Sequence, residues 1–166
     1  MDEREPDAVD AITAQWQRER PDLDLEAMAV FGRLGRLMNL AMTQIESVFT
    51  ARGLQRGEFD VLAALRRSGS PFELNPSVLA DTLMLSRAGM TGRIDRLEAA
   101  GLVRRIADRA DRRAVRVALT EEGRALIDEL VVAHTENETA MLSALKPADR
   151  AALDRIARTL LDGWSH

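Results

Sequence analysis

Residues 86–119 read SRAGMTGRIDRLEAAGLVRRIADRADRRAVRVAL, and the spacing of the apolar residues changes once within them. Up to Gly101 the spacing is helical. Met90, Ile94 and Leu97 fall on one face, Ser86 stands where an N-cap oxygen is needed, and Gly101 ends the run. Beyond it, 102–106 and 114–119 are short segments of β-type composition on either side of the polar centre ADRADRR, which predicts a hairpin with a charged tip. Upstream, Asn75-Pro76 opens a shorter helix, PSVLADTLML. Asn75 is placed to cap it, and Pro76 takes the first helical position, where its missing N–H costs nothing.

Two short helices joined by a tight turn and followed by a hairpin is the order of a winged helix-turn-helix. The remaining chain is helical by its spacing. Val9, Ile12 and Trp16 mark a first helix that ends before Pro21, and a longer segment runs from 25 to 49 with Arg52-Gly53 closing it. Others cover 56–67, 120–145 and 147–161. Apolar residues make up 46% of 166 residues and aromatics only 4%, which suits one mainly α domain with a small β-wing rather than a sandwich. The expected organisation is a single domain over 1–166. An extra helix occupies 7–20, long helices 24–52 and 120–163, and the winged lobe 55–119.

The net charge of −4 hides its distribution. Residues 86–119 carry nine basic and four acidic groups, whereas 1–31 carry three and nine and 120–166 carry five and nine. The basic stretch coincides with the second helix of the pair and the hairpin. A helix N-terminus entering a major groove needs small and polar residues, and Ser86, Arg87, Ala88, Gly89 and Thr91 supply them. Ser86 and Thr91 can bond phosphate or base edges, Arg87 can reach a guanine edge or a phosphate, and Arg96 adds a cation on the same helix. Arg109, Arg112 and Arg113 can enter a minor groove, with Asp111 and Asp108 orienting them by ion pairing. Taken without its neighbours, such a hairpin would equally be a solvated surface; the ordered combination points to double-stranded DNA.

Other classes find little support. No cysteine is present, so thiolate catalysis, a cysteine metal site and a thiol-based peroxide sensor are excluded. There is no phosphate-binding glycine loop and no H-E-x-x-H, and His134, Glu136 and Glu138 do not converge on one helical face, so neither an enzyme nor a metal or cofactor protein is expected. A winged-helix adaptor for another protein is disfavoured by Arg87, Arg93 and Arg96 on the second helix. No membrane segment is apparent, and a cytoplasmic protein is expected.

The run LEAAGLVRR at 97–105, continued by DRADRR at 108–113 and LTEEG at 119–123, resembles the MarR family of bacterial transcription regulators. That resemblance implies an obligate homodimer through the N- and C-terminal helices, with two winged lobes on a pseudo-palindromic operator. The extra first helix is similar to that of the urate-responsive subgroup, whose pocket uses a tryptophan, an aspartate and two arginines. The resemblance places these at Trp16, Asp60, Arg93 and Arg105, and implies a regulator released from DNA by a small anionic effector such as urate. Some relatives answer instead to other carboxylates or phenols. Each of the four has a plainer reading as well: Trp16 as a staple for its helix, Asp60 with Arg93 as a structural ion pair, Arg105 as a phosphate contact.

Overall fold

Among the described residues, 5–108 and 114–164, a computed structural model contains seven helices and three strands. They follow the order α1 (Ala8–Glu19), α2 (Glu26–Thr50), α3 (Arg56–Arg67), β1 (Glu73–Leu74), α4 (Pro76–Thr82), α5 (Arg87–Ala99), β2 (Val103–Ala107), β3 (Val115–Leu119), α6 (Glu121–Met141) and α7 (Pro147–Trp164). This is the mainly helical winged arrangement that the sequence predicts. The chain divides into two units, Met1–Gln44 and Ile45–His166, with the boundary inside α2. No helix among the described residues is long and apolar enough to cross a membrane.

In the first unit, α1 begins at a reciprocal cap. Asp7 Oδ1 accepts from the Val9 and Asp10 amides at 2.7 and 3.0 Å, and Asp10 Oδ2 accepts from the Asp7 amide at 2.9 Å. Arg33 of α2 donates to both carboxylates, at 2.8 Å to Asp7 Oδ2. Val9 is buried against Gly32, where a Cβ would stand only 3.1 Å from Val9 Cγ1. The helix therefore docks through one valine, one glycine and a charge clamp. Ile12 and Trp16 remain exposed.

The second unit holds the main core, in which Phe49, Leu62, Leu65, Leu79, Met90, Ile94, Leu97, Val117 and Ile127 are almost fully buried. Its sheet has the order β1-β3-β2 and is antiparallel, with Val103 opposite Leu119 and Ala107 opposite Val115. Strand β1 is only two residues long and pairs Glu73 with Ala118. Arg116 of β3 ties both flanking segments, reaching Glu73 and Asp108 at 3.3 Å each.

Helix α4 stops at Thr82, before the end of the apolar run, because Met84 turns into the left-handed region at φ 51°. The Leu85 and Met84 amides then satisfy the Ala80 and Asp81 carbonyls at 2.9 and 3.2 Å. A methionine in that conformation is strained by roughly 1–2 kcal/mol. Asn75 occupies the N-cap position of α4, but its side chain makes no capping bond. Ser86 does cap α5, accepting from the Gly89 amide at 3.1 Å.

Between the hairpin and α6 the backbone crosses itself closely. Thr120 Oγ1 donates to the Gly101 carbonyl at 2.7 Å and accepts from the Gly123 amide at 3.0 Å, while the Thr120 amide donates to Leu102 O at 3.1 Å. A Cβ on Gly123 would overlap the Leu102 carbonyl oxygen. The spacing of threonine and glycine in LTEEG thus has a steric reason.

Helix α7 buries none of its residues, and Ile156, Leu161 and Trp164 stand about half exposed or more, as does Val132 of α6. On α2 the same holds for Phe31, Met38 and Leu40.

Gly123→Ala should cost about 2–3 kcal/mol in urea denaturation, because the obstacle is main chain and cannot rotate away. The Arg33 guanidinium, helped by the Asp10 and Val9 amides, holds the Asp7 carboxyl down at about 2 against an ordinary 3.8. The stability that this charge lends is present above pH 3.8 and is lost as the pH falls through about 2. An NMR titration should place the Asp7 carboxyl near 2, and Arg33→Ala should return it towards 3.8.

Candidate nucleic-acid interface and effector groove

Helix α5 turns Met90, Ile94 and Leu97 into the core and leaves its N-terminal turn in solvent. Ser86, Arg87 and Thr91 are exposed there, and Thr91 Oγ1 donates to the Arg87 carbonyl at 3.0 Å. Among the described residues Arg87 has no ion-pair partner, nor has Arg104 on β2, so both guanidinium groups are available to an outside anion. Arg109, Asp111, Arg112 and Arg113 lie outside the described residues. At the base of that hairpin the Asp108 amide donates to the Ala114 carbonyl at 2.9 Å.

The other arginines of this stretch differ in their engagement. Arg96 bonds Glu58, a carboxylate whose side chain is only 6% exposed and which also accepts from the Gln55 amide at 2.7 Å. The arginine is thereby tied to the first turn of α3, although its position on α5 suggests a DNA contact. Arg105 of β2 donates to Asp95 and Glu98 of α5, and its amide donates to Glu98 Oε1 at 2.9 Å. The Asp95 bond, with Glu98, raises its pKa further above the ordinary arginine range. Arg93 is half-buried and has no ion pair among the described residues. Its guanidinium lies across Gly57 at the start of α3, occupying the space that a Cβ there would fill.

Asp60 is half-buried one turn further along α3 from Gly57. It lines a groove of about 440 Å³ with Phe59, Ala63, Arg66, Arg67, Val131 and His134. His134 packs on the Phe59 ring at 5.0 Å between centroids; its Nε2 faces Glu138 at 3.3 Å, and its buried Nδ1 has no hydrogen-bond partner. Trp16 belongs to the first unit, where it borders a shallow cleft with Gln15 and Glu19. Among the described residues no three His, Asp or Glu side chains gather to hold a metal ion.

Two contributors lie beyond the residues that the sequence singles out. Glu58 is signalled only by its capping-box spacing from Gln55, and Gly57 by nothing except its unusual place inside a helix.

The family model described as the MarR family matches residues 52–114. Over 158 residues, 93% of this chain and 95% of the relative, the sequence is 42% identical to the HTH-type transcriptional regulator PecS of Dickeya dadantii. The chain belongs to the MarR family. Like its MarR relatives it is a DNA-binding transcriptional regulator and not an enzyme. The solved structure of Bordetella bronchiseptica BpsR, whose DNA binding is regulated by 6-hydroxynicotinic acid, is 30% identical and superposes with a TM-score of 0.68, covering 80% of this chain and 93% of BpsR. Streptomyces coelicolor Sco3205 in complex with DNA shares the fold at 22% identity and a TM-score of 0.74, over 85% and 89% of the two chains.

Within this MarR lobe, Glu58→Ala removes one half of a helix cap and the anchor of Arg96 together. The expected loss is about 1–2 kcal/mol of stability in urea denaturation.

Proposed function

We propose that the protein acts in the bacterial cytoplasm as a homodimeric repressor that a small planar anion of the urate type releases from a pseudo-palindromic operator. The DNA side of this reading rests on the N-terminal turn of α5. Ser86, Arg87 and Thr91 enter the major groove, Arg87 with an uncommitted fork for a guanine edge or phosphate. The wing residues Arg109, Asp111, Arg112 and Arg113 follow along the minor groove, and Arg96 serves the interface from its bond with Glu58. Dimerisation would cover the apolar residues left exposed on α2 and α7.

The effector side is carried by one observation, the half-buried Arg93 lying across Gly57 with no ion pair among the described residues. A cation so placed on the recognition helix gives an anion a handle on the element that reads DNA. Asp60 accepts ring N–H groups one turn along α3, and the family resemblance assigns Trp16 the flat apolar contact with the ring. Arg105 joins only by leaving Asp95 and Glu98, which loosens the strap between β2 and α5. A ligand that favours this state by about 1–3 kcal/mol changes operator affinity by about 5- to 150-fold. BpsR supports a second reading, in which the planar anion is an aromatic carboxylate.

The test is a mobility-shift titration on DNA upstream of the protein's own gene, at several salt concentrations, with and without urate. Retardation that weakens steeply with salt and is lost in Arg87→Ala is expected. Urate should relieve it and raise the melting temperature. Trp16→Ala and Arg93→Ala should each weaken urate binding in calorimetry by about tenfold. Gly57→Ala should do the same at little cost in stability, because it displaces only the flexible end of Arg93. Binding of salicylate in place of urate favours the second reading; no binding of either removes the effector reading and leaves DNA binding standing.

A further inference from the structure

Met84 carries an apolar side chain that the fold itself does not use. It is 92% exposed, while its neighbours Leu83 and Leu85 pack against the core. It also sits at φ 51°, a conformation that glycine would adopt without strain. The turn serves the backbone and the two leucines, but among the described residues the methionine side chain itself finds almost no packing. Its position is specific as well: it forms the turn between α4 and α5, two residues before Ser86 caps the recognition helix. The left-handed turn lets the two leucines point inward and throws the methionine outward beside the exposed N-terminal turn of α5.

We infer that Met84 is a DNA contact, its thioether chain packing on an apolar part of the duplex beside the groove that α5 enters. The partner surface is continuous with the interface proposed for Ser86 and Arg87, and the inference rests on that reading. Two parts of a duplex offer such a surface, the thymine methyl group and the deoxyribose ring. An unbranched, polarisable side chain suits either. Because no charge is involved, the contact adds affinity without adding a released counterion.

The test uses the full-length protein and a duplex selected by it from a randomised pool. Met84→Gly should weaken binding about fivefold while leaving the dependence of log Kd on log salt unchanged. Its melting temperature should stay level or rise, because relief of the left-handed strain offsets the larger unfolded-state entropy of glycine. Met84→Leu should retain most of the affinity, and Met84→Asn, which tolerates the same φ but is polar, should behave like the glycine variant. Replacing each thymine by uracil then finds the partner. A loss at one position that disappears in Met84→Gly assigns the methyl group, and no such position assigns the sugar. Unchanged affinity in Met84→Gly overturns the inference, and so does a fall in melting temperature with affinity kept. Loss of binding in Arg87→Ala checks the underlying placement of α5 separately.

Discussion

The bond between Arg96 and the buried Glu58 carboxylate ties α5 to α3, beside the core packing of Met90, Ile94 and Leu97. Glu58 cannot turn away, because its other oxygen completes the first turn of α3 through the Gln55 amide. A charge buried to this degree requires its partner, so α3 and α5 are joined at that point by electrostatics as well as by packing. On the opposite side Arg105 straps β2 to α5 through Asp95 and Glu98. Helix α5 is therefore held by two sets of ion pairs, one through the buried Glu58 carboxylate and one through the more exposed Asp95 and Glu98.

The arginines of this segment thus divide by duty. Arg96 and Arg105 bond carboxylates, and among the described residues Arg87 and Arg104 have no ion-pair partner. Arg93 is the exception, partly covered yet without a counter-charge among the described residues, resting where Gly57 leaves room. That difference in engagement is what separates a helix merely held in place from one that a small molecule could shift. Neither composition nor spacing shows it, since five arginines in twenty residues look alike on paper.

The elements stand out in the sequence wherever a side chain marks its own boundary. Asp7, Ser86 and Thr120 each cap the helix that follows, and the change of period after Gly101 announces the hairpin. Where structure comes from distant partners the signal fails. Strand β1 exists because β3 runs beside it, and no pattern in Glu73-Leu74 foretells that. The early end of α4 depends on a methionine adopting a conformation that propensity assigns to glycine. That Arg96 is tied to Glu58, 38 residues away, is invisible to local inspection. The four residues proposed for the effector are legible only through resemblance. The structure adds Asp60's groove and Arg93's seat, while Trp16 belongs to the other unit.

Helix α7 carries a further consequence. It is 18 residues long and none of them is buried. A helix of that length is marginal in water when nothing covers its apolar stripe. If copies pair over this stripe as proposed, the folding of the C-terminal segment becomes a function of how much protein is present. Below the concentration at which copies pair, the chain should keep its winged lobe and shed this helix. Protein abundance, and not only an effector, would then set how many complete DNA readers exist.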